Sequence, residues 1–200
     1  MSGWETIEGN AAGLPAENID TDQLIPARFM STPRSEGYGG YLLHDVRQDD
    51  AGHVLNRTAP DVLVTRRNFG SGSSREAAVY ALVDFGIRAV FAPSFGDIFS
   101  GNAVNNGLLP ARLPDDVIED LLGLLGDTTA MAHVDLIAGR ARIAGRDVAF
   151  DLDPVWREKL RNGWDDIDLT AQHSAEIAGY RSERMARHGW AWPDVTPLKT

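Results

Sequence analysis

The sequence predicts an α/β fold in which part of the sheet is parallel. Two short apolar runs, residues 61–65 and 88–92, flank a stretch in which alanine and leucine recur at helical spacing. A strand, a helix and a strand within about thirty residues form a βαβ unit, whose two strands run parallel. Residues 133–137 and 146–152 lie on either side of Ala144-Gly145 and predict antiparallel strands of a hairpin or meander.

The remaining elements follow from start and stop signals along the chain. A short strand is expected at 4–8 with a polar loop after it, and the glycine-rich residues 31–40 predict a loop. Helices are expected from near Ser74 to Gly86, within 94–106, over 114–125, from Asp153-Pro154 to Asn162-Gly163, and from Thr170 to Arg187. We therefore predict one domain over 1–200, with a C-terminal helical extension from about 153.

Composition restricts the classes of partner. The chain has 19 basic and 29 acidic residues, a net charge of −10, which argues against nucleic acid or an anionic membrane as a general partner. A bound anion would need a local cluster, and the candidates are Arg66, Arg67 and Arg75 or, separately, Arg28 and Arg34. Neither a signal peptide nor a membrane span is evident in the sequence, so a cytoplasmic protein is expected.

The chain contains no cysteine, so it can offer neither a thiol nucleophile nor a thiolate ligand for zinc or an iron–sulfur cluster. Its five histidines fall at no metal-ligand spacing. No cofactor is therefore expected to bind this chain by itself.

The segment Asn68-Phe69-Gly70-Ser71-Gly72-Ser73-Ser74-Arg75-Glu76 lies between a predicted strand and a predicted helix. The first N–H groups of a helix lack partners and its dipole is positive there, so a carboxylate or phosphate is stabilised at such a turn. That field and Arg75 would favour an alkoxide over a hydroxyl, so a serine here could act as a general base. The alternative is that Ser73 and Ser74 only cap the helix. Dinucleotide, P-loop and Gly-x-Ser-x-Gly patterns are absent.

Three long motifs stand out in the chain. They are residues 18–26 (Asn-Ile-Asp-Thr-Asp-Gln-Leu-Ile-Pro), residues 68–76, and residues 88–95 followed by Asp97-Ile98-Phe99 and Asn106-Gly107-Leu108-Leu109-Pro110. All three resemble the small subunit family of 3-isopropylmalate dehydratase, the swivelling domain of the aconitase superfamily. Asn162-Gly163, Asp166-Ile167 and Leu169-Thr170 resemble the C-terminal section of that family.

The resemblance implies a three-layer β/β/α domain that closes over a [4Fe-4S] cluster carried by a separate large subunit. It implies a hydro-lyase that isomerises 2- and 3-isopropylmalate by dehydration and rehydration in leucine biosynthesis. By position in the motifs, Ser73 would be the base that takes the carbon-bound proton and Asp22 an active-site carboxylate. Ser74 and Arg75 would bind a carboxylate of a small dicarboxylate substrate, and Arg34 would contact its variable part.

Several positions depart from the family pattern. The family usually has cysteine at Ser71, has histidine, alanine, proline and tryptophan at positions 77–80, and has Arg-Thr-Gly at 35–37. Glu36 near a dianion would be unfavourable unless it points elsewhere or the substrate differs. The alternatives are therefore a related hydratase subunit for a citraconate- or dimethylmaleate-type diacid, and a non-catalytic carboxylate-binding module.

Overall fold

The computed structural model describes residues 2–192. Its seven strands are β1 Thr6–Leu14, β2 Val62–Thr65, β3 Ala89–Ala92, β4 Leu109–Arg112, β5 Thr129–Asp135, β6 Arg140–Ile143 and β7 Arg146–Ala149. They form one sheet in the order β4-β3-β2-β1-β5-β6-β7. Pairs from β4 to β1 are parallel, and pairs from β1 to β7 are antiparallel. The predicted α/β class and parallel βαβ unit are confirmed.

The helices are α1 Thr21–Leu24, α2 His44–Asp49, α3 Val54–Arg57, α4 Glu76–Phe85, α5 Asp97–Asn105, α6 Asp115–Leu125, α7 Pro154–Asn162, α8 Asp166–Ala171 and α9 Ser174–Arg187. Single 3-10 turns occur at Ala27–Phe29, Arg34–Glu36 and Gly39–Tyr41.

The parallel strands are buried on both faces, which explains their continuous apolar runs. Leu63 and Val90 pack into a core shared with α1 and α4, whereas Val62 and Phe91 pack into a second core shared with α6. The antiparallel half covers this second core, where Phe150 meets Phe91 edge to face at a centroid distance of 5.7 Å. The sheet curls far enough that Asp151 forms an isolated bridge with Arg112, at the end of β4.

β1 is longer than predicted. The sequence indicated a strand at 4–8 followed by a polar loop, but the strand continues to Leu14. Alanine and glycine at 11–13 have low strand propensity, yet β1 is the central strand and has hydrogen-bonded neighbours on both sides. The added Cβ of an alanine at Gly9 would lie 1.9 Å from Asp61 Oδ2, so the Asp61 side chain would have to move.

Of the two predicted alternatives, a hairpin or a meander, the antiparallel half is a meander. Ala144 and Gly145 join β6 to β7, and β5 precedes β6. The predicted last helix is interrupted, because α8 ends at Ala171 and α9 begins at Ser174.

The chain divides into two compact units at Asp165–Asp166. The predicted C-terminal helical extension is shared between them, because α7 belongs to the first unit while α8 and α9 belong to the second. Within the second unit, no residue of α9 is buried. Whether the whole chain behaves as one domain stays a prediction.

Candidate active site

The Asn68–Glu76 segment forms the turn from the parallel sheet to α4, as expected. Gly70 and Gly72 have φ of +70° and +97°, in the region that favours glycine. A Cβ at Gly70 would lie 2.2 Å from Cγ of Phe99, so the ring leaves no space for any side chain there. The shape of the loop therefore depends on glycine at these two positions.

The two N-terminal motifs are joined by hydrogen bonds. The N–H of Gly70 donates to the carbonyl of Ile19 at 2.7 Å, and the N–H of Thr21 donates to the carbonyl of Ser71 at 2.9 Å. Residues 50 positions apart in sequence thus form one small platform.

Thr21 is a site residue that sequence reasoning missed. Its side chain is buried and its Oγ1 donates to the carbonyl of Ser73 at 3.1 Å. The available signal was its place between two aspartates of the first motif, but its partner belongs to a distant segment. Thr21 fixes the backbone of the residue predicted to be the base.

Asp22 and Arg75 form an ion pair across the two motifs. Asp22 lies in α1, which begins with a capping box between Asp20 and Gln23. The Arg75 side chain is 21% exposed and that of Asp22 is 56% exposed, so the carboxylate is the outer partner. The structure therefore brings together two of the predicted site residues.

Ser73 and Ser74 are exposed on this platform and do not cap the helix. Helix α4 begins at Glu76, two residues later than predicted, and Arg75 occupies the cap position without a side-chain hydrogen bond to the helix. The carbonyl of Ser73 accepts the N–H of Arg75 at 2.7 Å, which closes a tight turn before the helix. The serine hydroxyls are thus presented to the outside of the unit.

Arg34 lies in the 3-10 turn Arg34–Glu36 and contacts the C-terminal part of α4. Its Nη1 and Nη2 contact Asp84 Oδ2 and Oδ1 at 2.5 and 2.8 Å, and its guanidinium lies 4.5 Å from the centre of the Tyr80 ring. The structure does not pair Arg34 with Arg75 or Asp22, and its substrate contact stays a prediction.

The other candidate arginines also have acidic partners. Arg66 pairs with Glu119, Arg67 with Glu17, and Arg28 with Asp45. Each guanidinium is therefore already neutralised by a carboxylate of its own chain. Among the candidates, Arg75 alone lies in the segment that presents the serines.

Tyr80 and Glu76 lie one turn apart on one face of α4, which follows the reactive segment. Burial, followed by the charge and hydrogen bond of Glu76, raises the pKa of Tyr80. Glu76 also accepts a hydrogen bond of 2.8 Å from Asn106. Tyr80 therefore stays a neutral phenol next to Glu76.

Comparison with known proteins identifies the family. The aconitase C-terminal domain family matches residues 1–116. The 3-isopropylmalate dehydratase small subunit of Rhodospirillum centenum is 42% identical over 96% of this chain and 99% of its own length. That of Granulibacter bethesdensis is 40% identical over 98% of both chains. The chain belongs to the 3-isopropylmalate dehydratase small-subunit family.

A solved structure agrees with this assignment. The 3-isopropylmalate dehydratase (leuD) of Methanocaldococcus jannaschii superposes with a TM-score of 0.68 at 27% identity, over 88% of this chain and 99% of the other. The resemblance and the fold class predicted for a small subunit of this family are thus confirmed.

Within residues 2–192, no three His, Asp or Glu side chains are grouped closely enough to hold a metal ion. Among the same residues, no helix has the length and apolar character needed to cross a membrane.

Proposed function

We propose that this chain is the small subunit of 3-isopropylmalate dehydratase and interconverts 2- and 3-isopropylmalate in leucine biosynthesis. The observation that carries the proposal is identity of 40–42% over almost the whole chain to relatives named for this activity. The geometry adds two exposed serine hydroxyls, at Ser73 and Ser74, directly before the paired Arg75.

The reaction needs one base and one carboxylate site from this chain. In dehydration, the C–H bond breaks and Ser73 Oγ, as the alkoxide, takes the proton while the electron pair forms the C=C bond. The C–O bond breaks at the neighbouring carbon, and the hydroxyl leaves as water with a proton supplied by solvent or by a general acid outside this chain. In rehydration, the hydroxyl of water adds to the carbon that lost its proton, the other proton of that water returns to the acid or to solvent, and Ser73 gives its proton to the carbon that lost the hydroxyl.

Arg75 and Ser74 would hold a substrate carboxylate. A guanidinium presents parallel N–H donors that match the two oxygens of a carboxylate. Asp22 would orient the Arg75 fork, since the two side chains are already paired. Arg34 would contact the variable part of the substrate from the position in which Asp84 holds its guanidinium.

A cluster-bearing large subunit completes the proposal. This chain has no cysteine, so the thiolates for a [4Fe-4S] cluster would come from another chain. The cluster, when bound there, supplies a Lewis acid for the substrate hydroxyl and a carboxylate. The relatives are named small subunits, which supports a large-subunit partner. A cytoplasmic location stays a prediction.

The test is anaerobic turnover by this chain assembled with its large subunit, on both isopropylmalates and on citramalate, citraconate and dimethylmalate. We expect turnover of the isopropylmalates alone. Preference for another diacid would favour the related-hydratase alternative, and no turnover would favour the non-catalytic module.

Ser73→Ala tests the base in the same assembly. We expect kcat to fall about 10²- to 10⁴-fold, the usual contribution of a general base. Ser182→Ala is the matched control, because Ser182 is exposed on α9 and its hydroxyl donates to the carbonyl of Ala178 within that helix. Equal activities of the two variants would show that Ser73 is not the base.

A further inference from the structure

The loop of residues 25–43, here called the Arg34 loop, is tied to α1 at both ends. It leaves α1 after Leu24, and the N–H of Leu43 returns a hydrogen bond of 3.1 Å to the carbonyl of Leu24. The helix that carries Asp22 is therefore also the base of this loop.

The middle of the Arg34 loop is held on α4 by a single carboxylate. Asp84 accepts two hydrogen bonds from Arg34 and a third, at 2.7 Å, from the N–H of Tyr38. Its side chain is only 17% exposed, although that of Arg34 is 46% exposed. The backbone approaches closely as well, because a Cβ at Gly39 would lie 2.6 Å from the carbonyl oxygen of Asp84.

One face of α4 leads from this carboxylate to the reactive segment. Glu76, Tyr80 and Asp84 are spaced four residues apart, so they lie on one face of α4. Arg34 stacks over Tyr80, which lies one turn from Glu76, and Glu76 begins α4 directly after Arg75. The Arg34 loop thus connects α1, which carries Asp22, with α4, which begins directly after Arg75.

We infer that Asp84 is a positioning residue of the active site, which acts through Arg34 and Tyr38 to hold the Arg34 loop in its binding arrangement. This inference rests on the proposed function. Asp84 contacts no reacting group. Its replacement therefore lowers the fraction of chains in which the Arg34 loop has its binding arrangement. The apparent affinity falls by that fraction, while the chemical step of a correctly bound substrate is unchanged.

The experiment compares Asp84→Asn with Asp147→Asn in the assembled enzyme. Asparagine keeps the acceptor for Tyr38 but removes the charge that binds the guanidinium. Asp147 makes an equivalent two-bonded pair with Arg142, at 2.7 and 2.7 Å, on the β6–β7 hairpin. For Asp84→Asn we expect KM to rise about 10-fold, as for the loss of a charge-assisted hydrogen bond, with kcat within about 3-fold of wild type. Asp147→Asn should leave both constants unchanged.

A second measurement does not need turnover. Trypsin cleaves after arginine, so release of the loop should speed cleavage between Arg34 and Ser35 in the isolated full chain by about 10-fold. Mass spectrometry identifies this cut and the cut after Arg142, which Asp147→Asn should speed instead.

The outcomes separate the inference from the proposed function. If the wild-type assembly turns over isopropylmalate and the KM of Asp84→Asn is unchanged, the inference is overturned and the proposed function is not. This holds whether or not cleavage at Arg34 changes. A fall in kcat at constant KM also overturns it. Absence of isopropylmalate turnover by the wild-type assembly overturns the proposed function and with it the role of Asp84.

Discussion

Adding one methyl group at Gly70 should strongly destabilise the chain, because two separate costs coincide there. The residue has φ of +70°, where a non-glycine residue pays about 1–2 kcal/mol. The new Cβ would also lie 2.2 Å from Cγ of Phe99. That ring is 3% exposed and packs against Phe69 and Phe95 at centroid distances of 5.4 and 6.3 Å, so it has no free space to enter.

Forcing an extra group into such packing costs about 1–3 kcal/mol. Gly70→Ala should therefore lower the free energy of unfolding by about 2–5 kcal/mol in total. Gly145→Ala is the matched control, since Gly145 has φ of +81° and nothing within 4 Å of an added Cβ. Gly145→Ala therefore has only the backbone cost. The loss of chain entropy in the unfolded state is the same for both variants.

Urea unfolding of the two variants, followed by circular dichroism, isolates the steric cost. We expect the free energies of unfolding to differ by about 1–3 kcal/mol, with Gly70→Ala the less stable. In the assembled enzyme, Gly70→Ala should also lower activity, because the same backbone presents Ser73. Equal free energies of unfolding would refute the argument that Phe99 closes this position.

Three further perturbations test the site and its surroundings. Arg75→Lys should raise KM about 10-fold or more, because lysine cannot form a bidentate contact with a carboxylate; unchanged constants would remove Arg75 from the binding site. Thr21→Val should cost about 1 kcal/mol of stability and lower kcat, since the carbonyl of Ser73 loses one of its two donors, whereas Thr21→Ser should restore both. The hydrogen bond from Arg28 lowers the pKa of Asp45 from 3.8 to about 2. Its stabilising contribution is therefore present above about pH 4 and lost as the pH falls through about 2, and Asp45→Asn should weaken the acid dependence of thermal unfolding in that window.

The sequence by itself determined the class of fold and the location of the reactive segment. Buried parallel strands require continuous apolar runs, and glycines at a strand-to-helix turn are visible without coordinates. The absence of cysteine likewise excluded thiolate ligands from this chain. These features are local, so short windows of sequence contain them.

Only the tertiary structure decided which distant groups meet. The extension of β1 to Leu14 depends on hydrogen bonds from strands on both sides, which override the weak strand propensity of alanine and glycine. The tight turn that ends at Arg75 places the start of α4 at Glu76, two residues later than predicted. Ser73 and Ser74 are therefore exposed and do not cap the helix.

The pairings of the charged groups also required coordinates. Asp22 meets Arg75 and Arg34 meets Asp84 across separations of 53 and 50 residues, and no local pattern encodes such partners. The order of strands in the curled sheet brings these segments together, and the hydrogen bonds of Thr21 and Gly70 hold the reactive loop beside α1.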